Sequence, residues 1–280
     1  MTDKPVFANG YRSEQTEIVR QTCLFVATKL GDLSSDIVVV GGLVPTLLVS
    51  PDDEGVSSHV GTRDLDLGLA LGILDGERYR EVSERLRRAQ FEPSITTEGE
   101  QKRQRWKYAR DDSPETYIDF LIPPSSPEKS GGDQQDMEED FAAIVTPGLN
   151  LAFKDPIVLD MRGQTLLGEM TKREIQVCNP GAFVLLKSLA FGVRGENKDA
   201  YDLFYMIRNF GEGIRDVASP FVQLGEAKEL DQAVEIIDRD FTNSDGPGPR
   251  RVAEFLVQGK DAELQAEVAA YCRQFLELVQ

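Results

Sequence analysis

The stretch Ile37-Val38-Val39-Val40-Gly41-Gly42 decides the fold. Its four β-branched residues are typical of a buried strand. The glycine pair that ends the run favours a sharp turn, at which a ligand can approach the backbone closely. A short helix is expected over residues 43–48, with Pro45 in its first turn. Backbone N–H groups at such a helix start can hold a phosphate, and an ordinary tight turn is the alternative interpretation of the glycine pair.

A second strand is predicted in Gly61-Thr62-Arg63-Asp64-Leu65-Asp66-Leu67. Because side chains alternate along a strand, Leu65 and Leu67 share one face, and both carboxylates project from the other. Adjacent carboxylates repel each other unless a cation lies between them, and hard oxygen ligands favour magnesium or manganese over zinc. Asp64 and Asp66 are therefore candidate metal ligands.

A third carboxylate lies in a similar setting in Thr116-Tyr117-Ile118-Asp119-Phe120-Leu121-Ile122. A lone aspartate in such a strand costs free energy unless it is paired or bound to a metal ion. A third carboxylate is also what a two-metal phosphoryl-transfer site needs, with its ions roughly 3.5–4 Å apart. Asp119 is therefore the third candidate ligand.

Charged residues also recur in the second half of the chain. Lys187 and Arg194 lie about two helical turns apart, which places them on one face of a predicted helix. Glu196 is expected to start the next helix, in which Lys198, Asp199 and Asp202 cluster near the N-terminal end. The two aspartates there have a structural alternative, which is compensation of the helix dipole together with ion pairing to Lys198 or Arg194.

These motifs resemble the nucleotidyltransferase superfamily typified by DNA polymerase β, which has a Gly-Gly strand end, an Asp-x-Asp strand and a later strand with a single Asp. The form Thr62-x-Asp64-Leu65-Asp66 is similar to the AbiEii-type toxin branch of that superfamily. The run from Lys187 through Arg194 to Lys198-Asp199-x-x-Asp202-Leu203 resembles the second conserved block of the same branch. Together the resemblance covers roughly residues 37–207.

The resemblance implies an α/β (α+β) fold, in which a polymerase β-like mixed sheet with flanking helices is joined to a helical C-terminal domain. We expect a nucleotidyltransferase catalytic domain over 1–142. A mainly helical domain that starts with short strands is expected over 143–280. The implied activity is metal-dependent transfer of a nucleoside monophosphate from a nucleoside triphosphate to a hydroxyl acceptor, with Mg²⁺ or Mn²⁺ as cofactor.

The resemblance also assigns roles. Asp64, Asp66 and Asp119 would hold the ions, and Asp119 would help to deprotonate the attacking hydroxyl. Lys187 and Arg194 would neutralise the triphosphate, while Asp199 and Asp202 have the alternative task of orienting Lys187. The nucleotide- and phosphate-binding set is expected to comprise Gly41, Gly42, Thr62, Arg63, Arg194, Lys198, Asp199 and Asp202.

One position departs from the pattern of the superfamily. Val60 stands where its members often carry a basic residue, and Arg63 or His59 is expected to take over that phosphate contact. His59 is the only histidine in the chain, which argues against Ser-His-Asp or histidine-rich zinc chemistry. The three cysteines are widely spaced among apolar residues, so we expect buried thiols.

Three functions are kept as hypotheses. Resemblance to the AbiEii branch implies a tRNA acceptor and a protein antitoxin as partner. A small hydroxylated acceptor, such as an aminoglycoside-like compound, is favoured by the formal net charge of −17, because a cationic acceptor needs an anionic cleft and RNA does not. The third hypothesis is a non-catalytic toxin–antitoxin partner that retains the fold. The sequence leaves the acceptor, the preferred nucleotide and the oligomeric state open.

The most basic segment, residues 101–110, interleaves Lys and Arg with Trp106 and Tyr108. This pattern indicates either a nucleic-acid contact, with bases stacked on the aromatic rings, or an edge strand protected by charge. No apolar run approaches the roughly 20 residues that span a bilayer, and the first residues lack the features of a signal peptide. We therefore expect a cytoplasmic protein without a membrane contact.

Overall fold

The computed structural model describes residues 4–50, 56–70, 76–96, 99–110, 115–125 and 131–280. Within these ranges nine strands form one mixed sheet. The strands are β1 Ile37–Val40, β2 Asp64–Leu69, β3 Phe91–Ile95, β4 Gln101–Tyr108, β5 Tyr117–Ile122, β6 Gln134–Glu138, β7 Phe141–Val145, β8 Ile157–Gln164 and β9 Met170–Val177.

The strand order β3-β4-β5-β2-β1-β9-β8 places the two aspartate strands next to each other, and β7 pairs with both β5 and β6. β2 runs parallel to β5 and antiparallel to β1. The β-branched run of β1 is fully buried, as a strand near the middle of a sheet requires.

Helices flank this sheet and make up the C-terminal part of the chain. The apolar face of the sheet packs against α1 and α3; for example, Phe25 of α1 contacts Phe91 and Tyr108, and Tyr79 of α3 contacts Phe141. The predicted α/β fold, a mixed sheet with flanking helices and a helical C-terminal part, is confirmed. The helices are α1 Ser13–Leu30, α2 Val44–Leu48, α3 Gly76–Arg88, α4 Pro180–Arg194, α5 Asn197–Asn209, α6 Ile214–Gln223, α7 Lys228–Phe241, α8 Pro247–Val257 and α9 Ala262–Val279.

The chain divides into two compact units. The sheet unit contains Ser13–Leu43 and Thr62–Cys178, and the helical unit contains Val44–Gly61 and Asn179–Gln280 together with residues 4–12. The boundary expected at 142/143 falls inside the sheet unit, because β7 continues the sheet beside β5 and β9 pairs with β1. The short strands that follow residue 143 therefore belong with the aspartate strands.

The edge-strand interpretation of the basic segment 101–110 is wrong, and so is the stacking of bases on its aromatic residues. A nucleic-acid contact through its cations stays a prediction. β4 is not an edge strand, since it lies between β3 and β5. Its aromatic residues are not available to bases, because Trp106 is fully buried and Tyr108 is buried against Phe25 and Phe91. The apolar face of β4 belongs to the core, and the opposite face must therefore carry the cations.

Other expectations hold. The cysteines Cys23, Cys178 and Cys272 are buried free thiols. The Gly41-Gly42 turn leads through a short 3₁₀ helix, Gly41–Leu43, into α2. None of the helices formed by the described residues combines the length and apolar character needed to cross a membrane.

Candidate active site

The register of the sheet brings the three predicted carboxylates together. Asp66 of β2 lies directly beside Asp119 of β5. On either side, Val40 of β1 is paired with Asp66, and Arg105 of β4 is paired with Asp119. Side chains at paired positions project to the same face of a sheet, and Asp64, two residues before Asp66, shares that face. The predicted convergence of three aspartates is what the structure shows, whereas their role as metal ligands stays a prediction.

Arg105 links two of these carboxylates. Its Nε donates to Oδ1 of Asp119 at 2.7 Å, and one of its terminal nitrogens donates to Oδ2 of Asp119 at 2.5 Å. The same terminal nitrogen donates to Oδ2 of Asp64 at 3.3 Å. The two bonds to Asp119 form the bidentate geometry in which a planar guanidinium binds a carboxylate most strongly. We name Arg105, Asp64, Asp66 and Asp119 the sheet cluster.

The sheet cluster is mostly shielded from solvent. Only 14% of the Arg105 side chain is exposed, and Asp64 and Asp119 are buried, whereas Asp66 is half-buried. Burial by itself lowers the pKa of Arg105, but hydrogen bonds to Asp119 and the negative charges of Asp119, Asp64 and Asp66 outweigh it and raise that pKa. Arg105 therefore stays charged at any pH at which the protein is folded.

Gly41 fits tightly against Asp66. A Cβ atom at position 41 would lie 1.9 Å from Oδ2 of Asp66, and the backbone there has a φ of +69°, which favours glycine. Gly41 thus leaves room for the carboxylate of Asp66. Its predicted contact with a phosphate, like that of the buried Gly42, stays a prediction.

The two residues before β2 differ in their surroundings. Thr62 is buried; its hydroxyl donates to the carbonyl of Asp64, and its backbone N–H donates to the hydroxyl of Thr16. It thereby fixes the start of the strand that presents Asp64. Arg63 is half-exposed. A contact of either residue with a phosphate stays a prediction.

The donor chemistry of the sheet cluster fits a hard divalent cation, since three carboxylates share one face. Within the part of the chain that the structure describes, however, no group of three or more His, Cys, Asp or Glu side chains is arranged to hold a metal ion. Both oxygens of Asp119 are turned to Arg105. A metal ion that took these two oxygens would therefore compete with the guanidinium for them.

A second cluster of predicted residues lies in the helical unit, where α4 and α5 meet. Lys187 of α4 donates to Oδ1 of Asp199 at 3.1 Å. Arg194, at the end of α4, donates to the same carboxylate through Nε at 2.6 Å and through a terminal nitrogen at 2.8 Å. The prediction that Lys187 and Arg194 share a helix face is confirmed, because both meet Asp199.

Asp202 pairs with Lys187 as well, and also with one further cation, Lys198. Lys187 lies 2.6 Å from one of its oxygens, and Lys198 donates to the other at 2.7 Å. The Asp202 side chain is completely buried, and burial would raise its pKa. The charges of the two lysines and the bond from His59 outweigh that effect and hold the pKa of Asp202 well below its usual range.

His59 completes this second cluster, and its bonds fix its tautomer. The backbone N–H of Gly61 donates to Nδ1, so the proton lies on Nε2, which donates to Oδ1 of Asp202 at 2.9 Å. The ring stacks on Tyr201 at 5.2 Å and meets Tyr205 edge-on at 4.8 Å. Only 1% of the side chain is exposed, so the expectation that His59 replaces a phosphate contact is wrong.

Residues 57–60, which precede β2, are tied to α5. Tyr205 donates to the carbonyl of Ser57, and the backbone N–H of Val60 donates to the hydroxyl of Tyr201. Burial and its position beside Lys198 lower the pKa of His59 to about 4, although Asp202 opposes both effects. A neutral imidazole therefore joins the segment to the helix. We name Lys187, Arg194, Lys198, Asp199, Asp202 and His59 the helical cluster.

The roles of Arg105 and His59 were missed from sequence, and only the first had a usable signal. In β4 the basic residues alternate with Trp106 and Tyr108 as the aspartates of β2 alternate with leucines. If the aromatic residues belong to the core, Arg105 must share the face of the aspartates in a neighbouring strand. His59 has no such periodicity around it, and its partner Asp202 lies 143 residues away.

Comparison with known proteins finds a likeness at the level of structure. No protein-family model matches the chain, and no curated protein matches it. The chain is similar to the crystal structure of an antigenic nucleotidyltransferase-like protein from Paracoccidioides brasiliensis, at 16% sequence identity and a TM-score of 0.47. The alignment covers 79% of this chain and 87% of that one.

Proposed function

We propose that this protein is a metal-dependent nucleotidyltransferase, which moves a nucleoside monophosphate from a nucleoside triphosphate to a hydroxyl acceptor. One observation carries the proposal. Asp64, Asp66 and Asp119 project from neighbouring strands to one face of the sheet, and Arg105 bridges Asp64 and Asp119. Buried carboxylates so close together are costly unless positive charge is nearby, and an anionic nucleotide would need that charge as well.

In this proposal Asp64, Asp66 and Asp119 hold Mg²⁺ or Mn²⁺. When bound, the cation supplies charge neutralisation for the triphosphate and for the leaving pyrophosphate. The protein itself performs little covalent chemistry and acts by positioning. Because Gly41 has no side chain, it leaves the carboxylate of Asp66 room in this position. Asp119 is the proposed acceptor of the proton from the attacking hydroxyl.

The helical cluster has a positioning role in this proposal. Lys187 is engaged by Asp199 and Asp202, which supports the interpretation that the two aspartates orient it. Arg194 is the cation of this cluster that we propose for a phosphate contact. Its side chain is 54% exposed while its fork remains on Asp199, so it is preorganised and accessible at once.

The acceptor is proposed to be the hydroxyl of a tRNA end, with a protein antitoxin as regulator, as the AbiEii-like motifs imply. A second candidate, transfer to a small cationic molecule, is favoured by the formal net charge of −17. Label transfer distinguishes the two. The protein is incubated with each α-³²P-labelled triphosphate, with Mg²⁺ or Mn²⁺, and with either total RNA or a metabolite extract.

Label that moves to RNA supports the tRNA acceptor, and label that moves to metabolites supports the small acceptor. Absence of transfer with every nucleotide, both metals and both acceptor pools, from protein that still binds nucleotide, would overturn the enzymatic proposal. The protein would then be a non-catalytic member of the fold.

A further inference from the structure

Arg105 occupies the positions that a bound cation would need. Its guanidinium takes both oxygens of Asp119 and one oxygen of Asp64, at distances between 2.5 and 3.3 Å. The same oxygens are the donors that the proposed function assigns to a divalent cation. A guanidinium and a metal ion cannot fill this space together, because their like charges would meet at contact distance.

We propose that Arg105 is an internal counter-cation: it neutralises Asp64 and Asp119 in the metal-free protein, and an entering divalent cation displaces it onto the phosphates of the nucleotide. The inference rests on the proposed function and deepens it, since it adds a positioning residue and an order of events. Metal binding releases Arg105, and the released fork then binds the triphosphate.

The surroundings of Arg105 allow this exchange. The guanidinium carbon lies 5.1 Å from the centre of the Tyr117 ring, so the ring is a platform on which a displaced guanidinium can rest by cation–π attraction. Tyr117 pairs with Asp64 across β2 and β5, and therefore lies on the same face. A guanidinium fork matches phosphate oxygens as well as it matches a carboxylate.

The exchange is one of positive charge for positive charge and does not depend on titration. The carboxylates raise the pKa of Arg105, so the side chain leaves as a cation and stays one. Such a cation stabilises the metal-free carboxylates, weakens metal binding by competition, and strengthens nucleotide binding once it is released. A residue with a merely structural role would shift both affinities in the same direction.

The first test compares Mn²⁺ binding to the wild type, Arg105→Gln and Arg103→Gln, followed by electron paramagnetic resonance without nucleotide. Arg103→Gln is the matched control, because it makes the same change on the same strand while the wild-type Arg103 pairs with Asp136 at 2.7 Å. We expect Arg105→Gln to bind Mn²⁺ about tenfold more tightly than the wild type, since charge-assisted bonds no longer compete. Arg103→Gln should match the wild type.

The second test measures binding of non-hydrolysable triphosphate analogues to the same proteins at saturating Mg²⁺. Arg105→Gln should bind the analogue about tenfold more weakly, whereas Arg103→Gln should stay within about twofold of the wild type. Metal affinity that is equal or weaker in Arg105→Gln, or nucleotide affinity that is unchanged, would overturn the inference. Wild type and Arg105→Gln that both fail to bind Mn²⁺ at millimolar concentration would instead overturn the proposed function, and the inference with it.

A third measurement uses the wild type and so does not depend on the folding of the variant. The Nε–H resonance of Arg105 reports the bond to Asp119. It is assigned by its loss in Arg105→Lys or, if that variant is unfolded, by selective labelling. Titration with diamagnetic Mg²⁺ at constant ionic strength should shift this resonance and speed its exchange with water. A resonance that stays unchanged at saturating Mg²⁺ would show that the guanidinium does not move, and would contradict the inference.

Discussion

The sheet cluster and the helical cluster both combine aspartates with cations, yet the ion pairs are arranged differently. In the sheet cluster one guanidinium serves two carboxylates, Asp64 and Asp119. In the helical cluster each of two carboxylates meets two cations, and one of them also accepts a bond from an imidazole. The helical cluster thus joins α4 to α5 through its own ion pairs, whereas we propose that the sheet cluster exchanges Arg105 for a divalent cation.

The largest expected effect is on activity in the sheet cluster. Asp66→Ala should reduce nucleotidyl transfer by at least about a hundredfold, because a carboxylate that holds the catalytic cation is lost. The variant should stay folded, since Asp66 is half-buried and lies on the face of the sheet opposite Leu65 and Leu67. Label transfer and circular dichroism, measured on the same preparation, check both statements. Wild-type activity in this variant would remove the metal-based proposal.

The next largest effect is on stability in the helical cluster. Asp202→Asn leaves Lys187 and Lys198 without their shared charge partner, and breaking a buried ion pair in this way costs about 3–5 kcal/mol. Asp160→Asn is the matched control, because Asp160 pairs with Lys172 at the surface, where such a pair contributes about 0–1 kcal/mol. Chemical denaturation measures the difference. Equal destabilisation by the two substitutions would contradict the contrast between a buried and an exposed pair.

The helical cluster should also make stability depend on pH. Folding lowers the pKa of His59 to about 4. Between roughly pH 6.5 and 4, His59 therefore binds a proton in the unfolded chain but not in the folded protein. The free energy of unfolding should therefore fall as the pH decreases through this range, by about 3 kcal/mol in total from this one group. His59→Gln should lack this part of the decrease. Parallel pH profiles of wild type and variant would show that the histidine is not held neutral.

A smaller effect is expected where Gly41 meets Asp66. Gly41→Ala introduces a methyl group into the space of Oδ2 of Asp66 at a positive φ, which should cost about 1–3 kcal/mol and displace the carboxylate. Gly168→Ala separates the steric clash from the backbone strain, since Gly168 has a φ of +75° but open space around it. Gly41→Ala should thus lose metal affinity, as well as stability, relative to Gly168→Ala. Equal losses would mean that only backbone strain matters.

The parts of this site that local patterns control were predictable from sequence. The alternation of Leu65 and Leu67 with Asp64 and Asp66 fixed the face of each side chain, because a strand has a period of two. The neighbouring position of Asp119 required a known strand order, and it came only from resemblance to a superfamily. Pairing between distant strands is set by the core as a whole, and no single segment encodes it.

Arg105 and Trp106 show why the rest was missed. The alternating pattern of β4 says that Trp106 and Arg105 point to opposite faces, but not which face is inside. A basic strand with aromatic residues therefore looked like a surface for nucleic acid, whereas the aromatic residues fill the core. The role of His59 is harder still to predict from sequence, because Tyr201 and Tyr205 of a helix distant in sequence create its burial.

The most direct test of the proposed role of the sheet cluster is a Mn²⁺ titration of the wild type, Asp66→Asn and the surface control Asp160→Asn, followed by electron paramagnetic resonance. We predict that the wild type and Asp160→Asn bind Mn²⁺ with the same affinity and that Asp66→Asn binds it at least about tenfold more weakly. Equal affinity in all three proteins would place the cation elsewhere and contradict the account of the sheet cluster.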